Sequence, residues 1–162
     1  MKSFRCSLFR IIRITATACI VFFVAGAFLQ SLAAPGESPV EAQAAARAWV
    51  AQIDAGQYEE SYLAGCIAFH EKITKDKWVL GLKAVRAPHG AVVSRSETSH
   101  VLKPNGYQGL DGECMIIEYD TSFKNLPDGT EEVVMKHEDG IWKGAGYTVG
   151  SKTAPDTNTP SQ

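Results

Sequence analysis

Glu131-Glu132-Val133-Val134-Met135-Lys136-His137-Glu138-Asp139-Gly140-Ile141-Trp142-Lys143-Gly144-Ala145-Gly146-Tyr147 places an Asp-Gly pair between two stretches of strand-like composition. A type I′ turn needs φ > 0 at both central residues, and Asp-Gly meets that demand at little steric cost. A two-residue turn at Asp139-Gly140 pairs His137 with Trp142, Met135 with Gly144 and Val133 with Gly146. One face of the hairpin then carries Val133, Met135 and Trp142, with two glycines among the large residues. Glycine inside a strand marks close approach by another element, so helices are expected over this face.

Outward from the hairpin, Asp111-Gly112 and Asp128-Gly129 read as two further turns, giving strands at about 91–102, 113–123, 130–137 and 141–149. In the second strand Met115, Ile117, Tyr119, Thr121 and Phe123 alternate onto one face. Upstream the period is helical. Ser38-Pro39-Val40-Glu41 reads as a capping box with proline at the first helical position, followed by Ala45, Ala48, Trp49, Gln52 and Ile53 at helical spacing. Gly56 ends that helix. A second helix is expected over 57–71, with Tyr58, Tyr62, Leu63, Cys66 and Phe69 on its apolar side. A third starts at Thr74, carries Trp78, Val79, Leu82 and Val85, and stops before Pro88. Three N-terminal helices packed on one face of a four-stranded antiparallel meander make an α+β fold.

Residues 1–33 have a different character. Lys2, Arg5, Arg10 and Arg13 precede an apolar run from Ile14 to Leu29, and Ser31-Leu32-Ala33 supplies a small-residue cleavage site. That order describes a signal peptide. The alternative is an uncleaved inner-membrane anchor, but sixteen helical residues span only ~24 Å of a ~30 Å hydrocarbon core. The expected organisation is therefore a leader over 1–33, a short linker over 34–37, one domain over 38–149 and a disordered tail over 150–162. The expected location is the periplasm or cell exterior. Loss of the four basic leader residues moves the formal net charge from −2 to −6. An acidic surface without a Lys/Arg cluster excludes nucleic acid and anionic membrane as natural partners. Cys66 and Cys114 remain after the leader, either as one disulfide or as two separately buried thiols.

The chemistry-bearing residues are dispersed. His70, His89, His100 and His137 lack the spacing of a metal site, and no cofactor motif occurs. Neither cysteine has a basic partner in sequence that would lower its pKa. Leu63-Ala64-Gly65-Cys66 spells a lipobox but follows a polar helical segment rather than an apolar leader. Arg86 and Arg95 bracket Pro88-His89-Gly90, which suits either an anion clamp or a pair of structural ion pairs at the helix-to-sheet corner. With Tyr62 and His137 they are the candidate ligand-binding residues. Asp120, Tyr58, Tyr119 and Tyr147 add groups able to move a proton in a pocket.

One ordered series of residues carries a resemblance. It runs Ala48-Trp49, Asp54-Ala55-Gly56-Gln57-Tyr58, Glu60-Ser61-Tyr62, Trp78, Arg86-Ala87-Pro88-His89-Gly90, Ser94-Arg95, Asp111-Gly112-Glu113, Thr121-Ser122-Phe123 and Glu131-Glu132-Val133. It closes on Glu138-Asp139-Gly140-Ile141-Trp142-Lys143 and Gly146-Tyr147. Over about Ala42 to Val149 the chain resembles the bacterial exported family known as domain of unknown function 4019. The resemblance implies a cystatin-like, nuclear-transport-factor-2-like roll and brings no established activity. Cys66 and Cys114 stand where the family more usually has Ala and Tyr, so a disulfide here would be particular to this chain. The expectation is an exported, non-catalytic binding or interaction module of the bacterial envelope, meeting a protein or small molecule or a second copy of itself. The alternative is a pocket enzyme of the isomerase or lyase kind, using an inward carboxylate or Tyr.

Overall fold

The computed structural model describes residues 39–153. The expected leader, the linker, the Ser38 cap and the tail from residue 154 onward lie outside the described residues. Four α-helices, α1 (Pro39–Asp54), α2 (Tyr58–Leu63), α3 (Ile67–Lys72) and α4 (Lys75–Val85), lead through a 3-10 turn at Ala87–His89 into four strands. These are β1 (Val92–Lys103), β2 (Cys114–Phe123), β3 (Leu126–Glu138) and β4 (Ile141–Ser151), antiparallel throughout and in the order β1-β2-β3-β4. The fold is α+β, with four α-helices among the described residues rather than the three read from periodicity.

The extra break falls at Ala64-Gly65-Cys66, inside the expected second helix. Here the chain joins the edge of β4: Cys66 N–H donates to Gly144 O at 2.9 Å, and Gly144 N–H donates to Ala64 O at 3.3 Å. A Cβ on Gly65 would collide with the Phe69 ring. Cys66 then caps α3, its sulfur accepting from Phe69 N–H at 3.4 Å. Periodicity cannot show this break, because Tyr62, Cys66 and Phe69 keep helical spacing across it.

Two of the three Asp-Gly pairs turn the chain. Asp139 and Gly140 both have positive φ (55° and 79°), as the type I′ hairpin requires. Gly112, φ 81°, ends a longer connection over residues 104–113. Asp128-Gly129, however, lies inside β3, and the β2–β3 turn is Lys124-Asn125. Gly129 serves packing instead, since a Cβ there would lie 2.7 Å from Thr121 O and 2.9 Å from the Phe123 ring.

The hairpin register is as read at His137–Trp142 and Met135–Gly144, and then slips. A bulge between Val134 and Met135 sets Val134 opposite Gly146 and Val133 opposite Tyr147. The extra residue turns Tyr147 inward, where its hydroxyl reaches Glu131. β4 also outruns the expected limit of 149, with Ser151 Oγ donating to Asp128 at 2.7 Å and Lys152 pairing with Asp120 at 2.6 Å.

The core lies between the helices and one sheet face, from Ala42, Trp49, Val50, Ile53, Phe69, Trp78 and Leu82 to Met115, Ile117, Tyr119, Val133, Met135 and Trp142. Trp49 stacks on Trp78 at 5.8 Å, with Phe69 edge-on to the latter at 4.9 Å. Buried Ser61 satisfies both indoles: its carbonyl accepts from Trp49 Nε1 at 2.7 Å and its hydroxyl from Trp78 Nε1 at 3.0 Å. A second, smaller cluster on the far face joins Leu110, Cys114, Ile116 and Val134. Cys66 belongs to the first cluster and Cys114 to the second, and both are free, buried thiols with no bond between them. Burial pushes the pKa of each thiol up. Among the described residues no helix is long and apolar enough to cross a membrane.

Candidate functional site

Where α1 and α4 end against the sheet, four charged side chains interlock. Asp54, at the end of α1, accepts from Arg86 Nη2 at 2.8 Å and from Arg95 at 2.7 and 3.1 Å. Arg95 also forks onto Glu131, Nε to Oε2 at 2.6 Å and Nη2 to Oε1 at 3.0 Å. Thr121 and Tyr147 complete the Glu131 carboxylate, each donating a hydroxyl at 2.5 Å. Arg86 lies over the Phe123 ring, 4.4 Å from its centroid, and gives Nη1 to Gly90 O at 2.9 Å.

Burial alone would raise the pKa of Asp54, but hydrogen bonds from Arg95 and Arg86 overcome it and hold the carboxyl below its ordinary 3.8. Burial likewise opposes the charge on Arg95, and its bonds to Asp54 and Glu131 more than restore it. Burial, with Glu131 beside it, drives the Tyr147 phenol far up, so it stays a donor at any physiological pH. Arg86 and Arg95 are thus brought together as expected of a clamp, and what they clamp is the protein's own Asp54 and Glu131.

Next to this cluster, between α1 and β1, a cleft of about 400 Å³ is lined by Arg47, Val50, Arg95, Glu97 and Tyr119. Its parts follow from simple periodicities. Gln43, Arg47 and Val50 fall on one side of α1. Arg95 and Glu97 alternate onto the inner face of β1, and Glu97 is the cross-strand partner of Tyr119. Tyr119 is 3% exposed, and its hydroxyl has no hydrogen-bond partner among the described residues. Burial, and then the Glu97 carboxylate, raise its pKa. Glu97 Oε1 is held by Gln43 Nε2 at 2.5 Å and by His100 Nδ1 at 2.8 Å. Its Oε2 meets Arg47 Nη1 at 4.0 Å, beyond hydrogen-bond reach.

The other expected site residues lie elsewhere. Tyr62 donates its hydroxyl to Ile73 O at 3.1 Å and packs at a tilt against His70, ring centroids 4.5 Å apart. His137 packs on Trp142 at 5.1 Å and faces Glu113 at 3.2 Å. Asp120 is on the outer face of the sheet with Lys152. An equally large hollow on that outer face is bordered by Glu118 and Glu132, cross-strand neighbours. Burial and then the Glu118 charge raise the Glu132 pKa there. Sequence reading missed Arg47, Val50 and Glu97. The available signal was the i, i+2 pair Arg95-Glu97 beside an i, i+3 Arg47-Val50 edge.

The fold and cleft define a small α+β domain with helices on one sheet face and a polar-rimmed hollow at one side. Over residues 45–147 the chain matches the family described as "Protein of unknown function (DUF4019)", and it belongs to that family. No curated protein and no solved structure matches it.

Proposed function

We propose that this protein is a non-catalytic binding module that holds a small organic molecule in the α1–β1 cleft. The observation that carries the proposal is the lining of that cleft, which sets the incompletely bonded charges of Arg47 and Glu97 beside the apolar Val50 and the Tyr119 ring. Arg47 and Glu97, 4.0 Å apart and out of hydrogen-bond reach of each other, keep bonding capacity for a ligand, and a volume of about 400 Å³ is within the range of small-molecule sites. The non-catalytic reading is favoured by the neighbouring acid groups, since Asp54 and Glu131 are saturated by internal donors. Helices on one face of a four-stranded sheet suit the cystatin-like roll that the resemblance implies. The basic, apolar and small-residue order of 1–33 supports work outside the cytoplasm. Intact mass of protein recovered from an exporting bacterial host should begin at Ala34, and a mass retaining the leader would overturn export.

The cleft itself is tested by an NMR fragment screen reading the Val50 methyls and the Tyr119 ring. Hits should cluster on these signals and vanish in Arg47→Trp, which fills the mouth from an exposed position. Hits that map elsewhere, or that survive the substitution, would reject the cleft as the site.

A further inference from the structure

The polar groups of this cleft are specific enough to name a ligand class. Resting on the reading of the cleft as a binding site, we infer that its ligand is a small zwitterion in which ammonium and carboxylate are close together: a free α-amino acid with an apolar side chain. Arg47 and Glu97 face each other at 4.0 Å, near enough to attract but too far to hydrogen-bond. Arg47 is more than half exposed, so its guanidinium is free to turn inward. Glu97 cannot turn away, because Gln43 and His100 fix its other oxygen. Each charge therefore has bonding capacity directed at the mouth of one cleft.

A lone anion would meet Arg47 but also the Glu97 carboxylate, and a lone cation would meet the reverse. A molecule bearing both charges satisfies both. Its ammonium donates to Glu97 Oε2, while its carboxylate takes the Arg47 fork. Its side chain lies against Val50 and the Tyr119 ring, the apolar part of the lining. Arg95 does not compete for the carboxylate, being already bound to Asp54 and Glu131. Because the two protein charges are close, the two ligand charges must be close as well. That excludes an ordinary peptide, whose termini are far apart, and an ω-amino acid.

The test titrates leucine and phenylalanine into the full chain, following the Val50 methyls and Tyr119 ring by NMR. N-acetyl-leucine, leucinamide and 6-aminohexanoate are the comparators. Saturable shifts are expected with the two amino acids, and binding weaker by about tenfold or more with each comparator. Arg47→Gln should abolish the preference for leucine over leucinamide, and Glu97→Gln the preference for leucine over N-acetyl-leucine. Comparators that bind as tightly as leucine would overturn the zwitterion while leaving the cleft standing. Amino acids that leave the cleft signals unmoved at about 10 mM would also overturn it, and the fragment screen then decides the cleft independently.

Discussion

At the scale of single residues, the Glu131 carboxylate sets the largest local demand. Its side chain is fully buried, and it is satisfied by Arg95, Thr121 and Tyr147 together. Removing Arg95 strands that charge, whereas removing the Tyr147 hydroxyl leaves Oε1 still held by Arg95 Nη2. Arg95→Ala should therefore cost about 3–5 kcal/mol, and Tyr147→Phe about 1 kcal/mol. Urea unfolding of the two variants checks the order, and equal losses would contradict it. Sequence pointed to Arg86 and Arg95 because guanidinium groups at a corner need anions. It did not point to the anions, since Asp54 and Glu131 lie 41 and 36 positions from Arg95. Tyr119 was legible as an inward residue from the period of β2, but its lack of a partner is a property of packing that no local pattern carries.

Among the elements, β4 shows most clearly what periodicity can and cannot give. Asp139-Gly140 fixed the hairpin and its first pairs, because the turn type dictates the register beside it. The bulge at Val134/Met135 was not legible: one extra residue changes which side chains face inward without altering the composition. It also separates two glycines that look alike in sequence. Gly144 lies under the Trp49 indole so closely that a Cβ would overlap the ring, whereas a Cβ on Gly146 would meet Val134 at an ordinary 3.5 Å. Gly144→Ala should lose about 1–3 kcal/mol by overpacking, and Gly146→Ala should be close to neutral. Thermal unfolding of the pair measures this, and similar Tm values would show that Trp49 moves aside freely. Asp128-Gly129 carries the converse lesson. Its glycine is required by the Phe123 ring rather than by a turn, and the dipeptide alone cannot distinguish the two needs.

For the whole molecule, Asp54 is the tie between layers: from the end of α1 it binds Arg86 beyond α4 and Arg95 on β1. Its carboxyl is held below 3.8 in the folded protein, with the two arginines outweighing the opposing effect of burial. A depressed folded pKa means the unfolded chain binds the proton more readily. The stabilisation is then fully present above the unfolded value of about 4 and is lost as pH falls through the lower folded value. The protein should thus lose stability progressively below about pH 4, as protonation releases α1 from both arginines. Asp54→Asn should be less stable at neutral pH and show a shallower decline over the acid range, because its side chain has no proton to take up. Denaturant unfolding of both proteins at pH 7 and across the acid interval distinguishes the outcomes. Parallel declines would place the acid sensitivity elsewhere, on groups such as Asp128, whose carboxyl is also lowered, first by Ser151 and then by Thr153. The same substitution tests the cleft from behind. Arg95 lines it while bound to Asp54 and Glu131, so loosening Asp54 should free one side of the Arg95 guanidinium toward the cleft. Anionic fragments should then gain affinity in Asp54→Asn relative to the parent protein, and an unchanged ranking of fragments would show that Glu131 alone holds Arg95 in place.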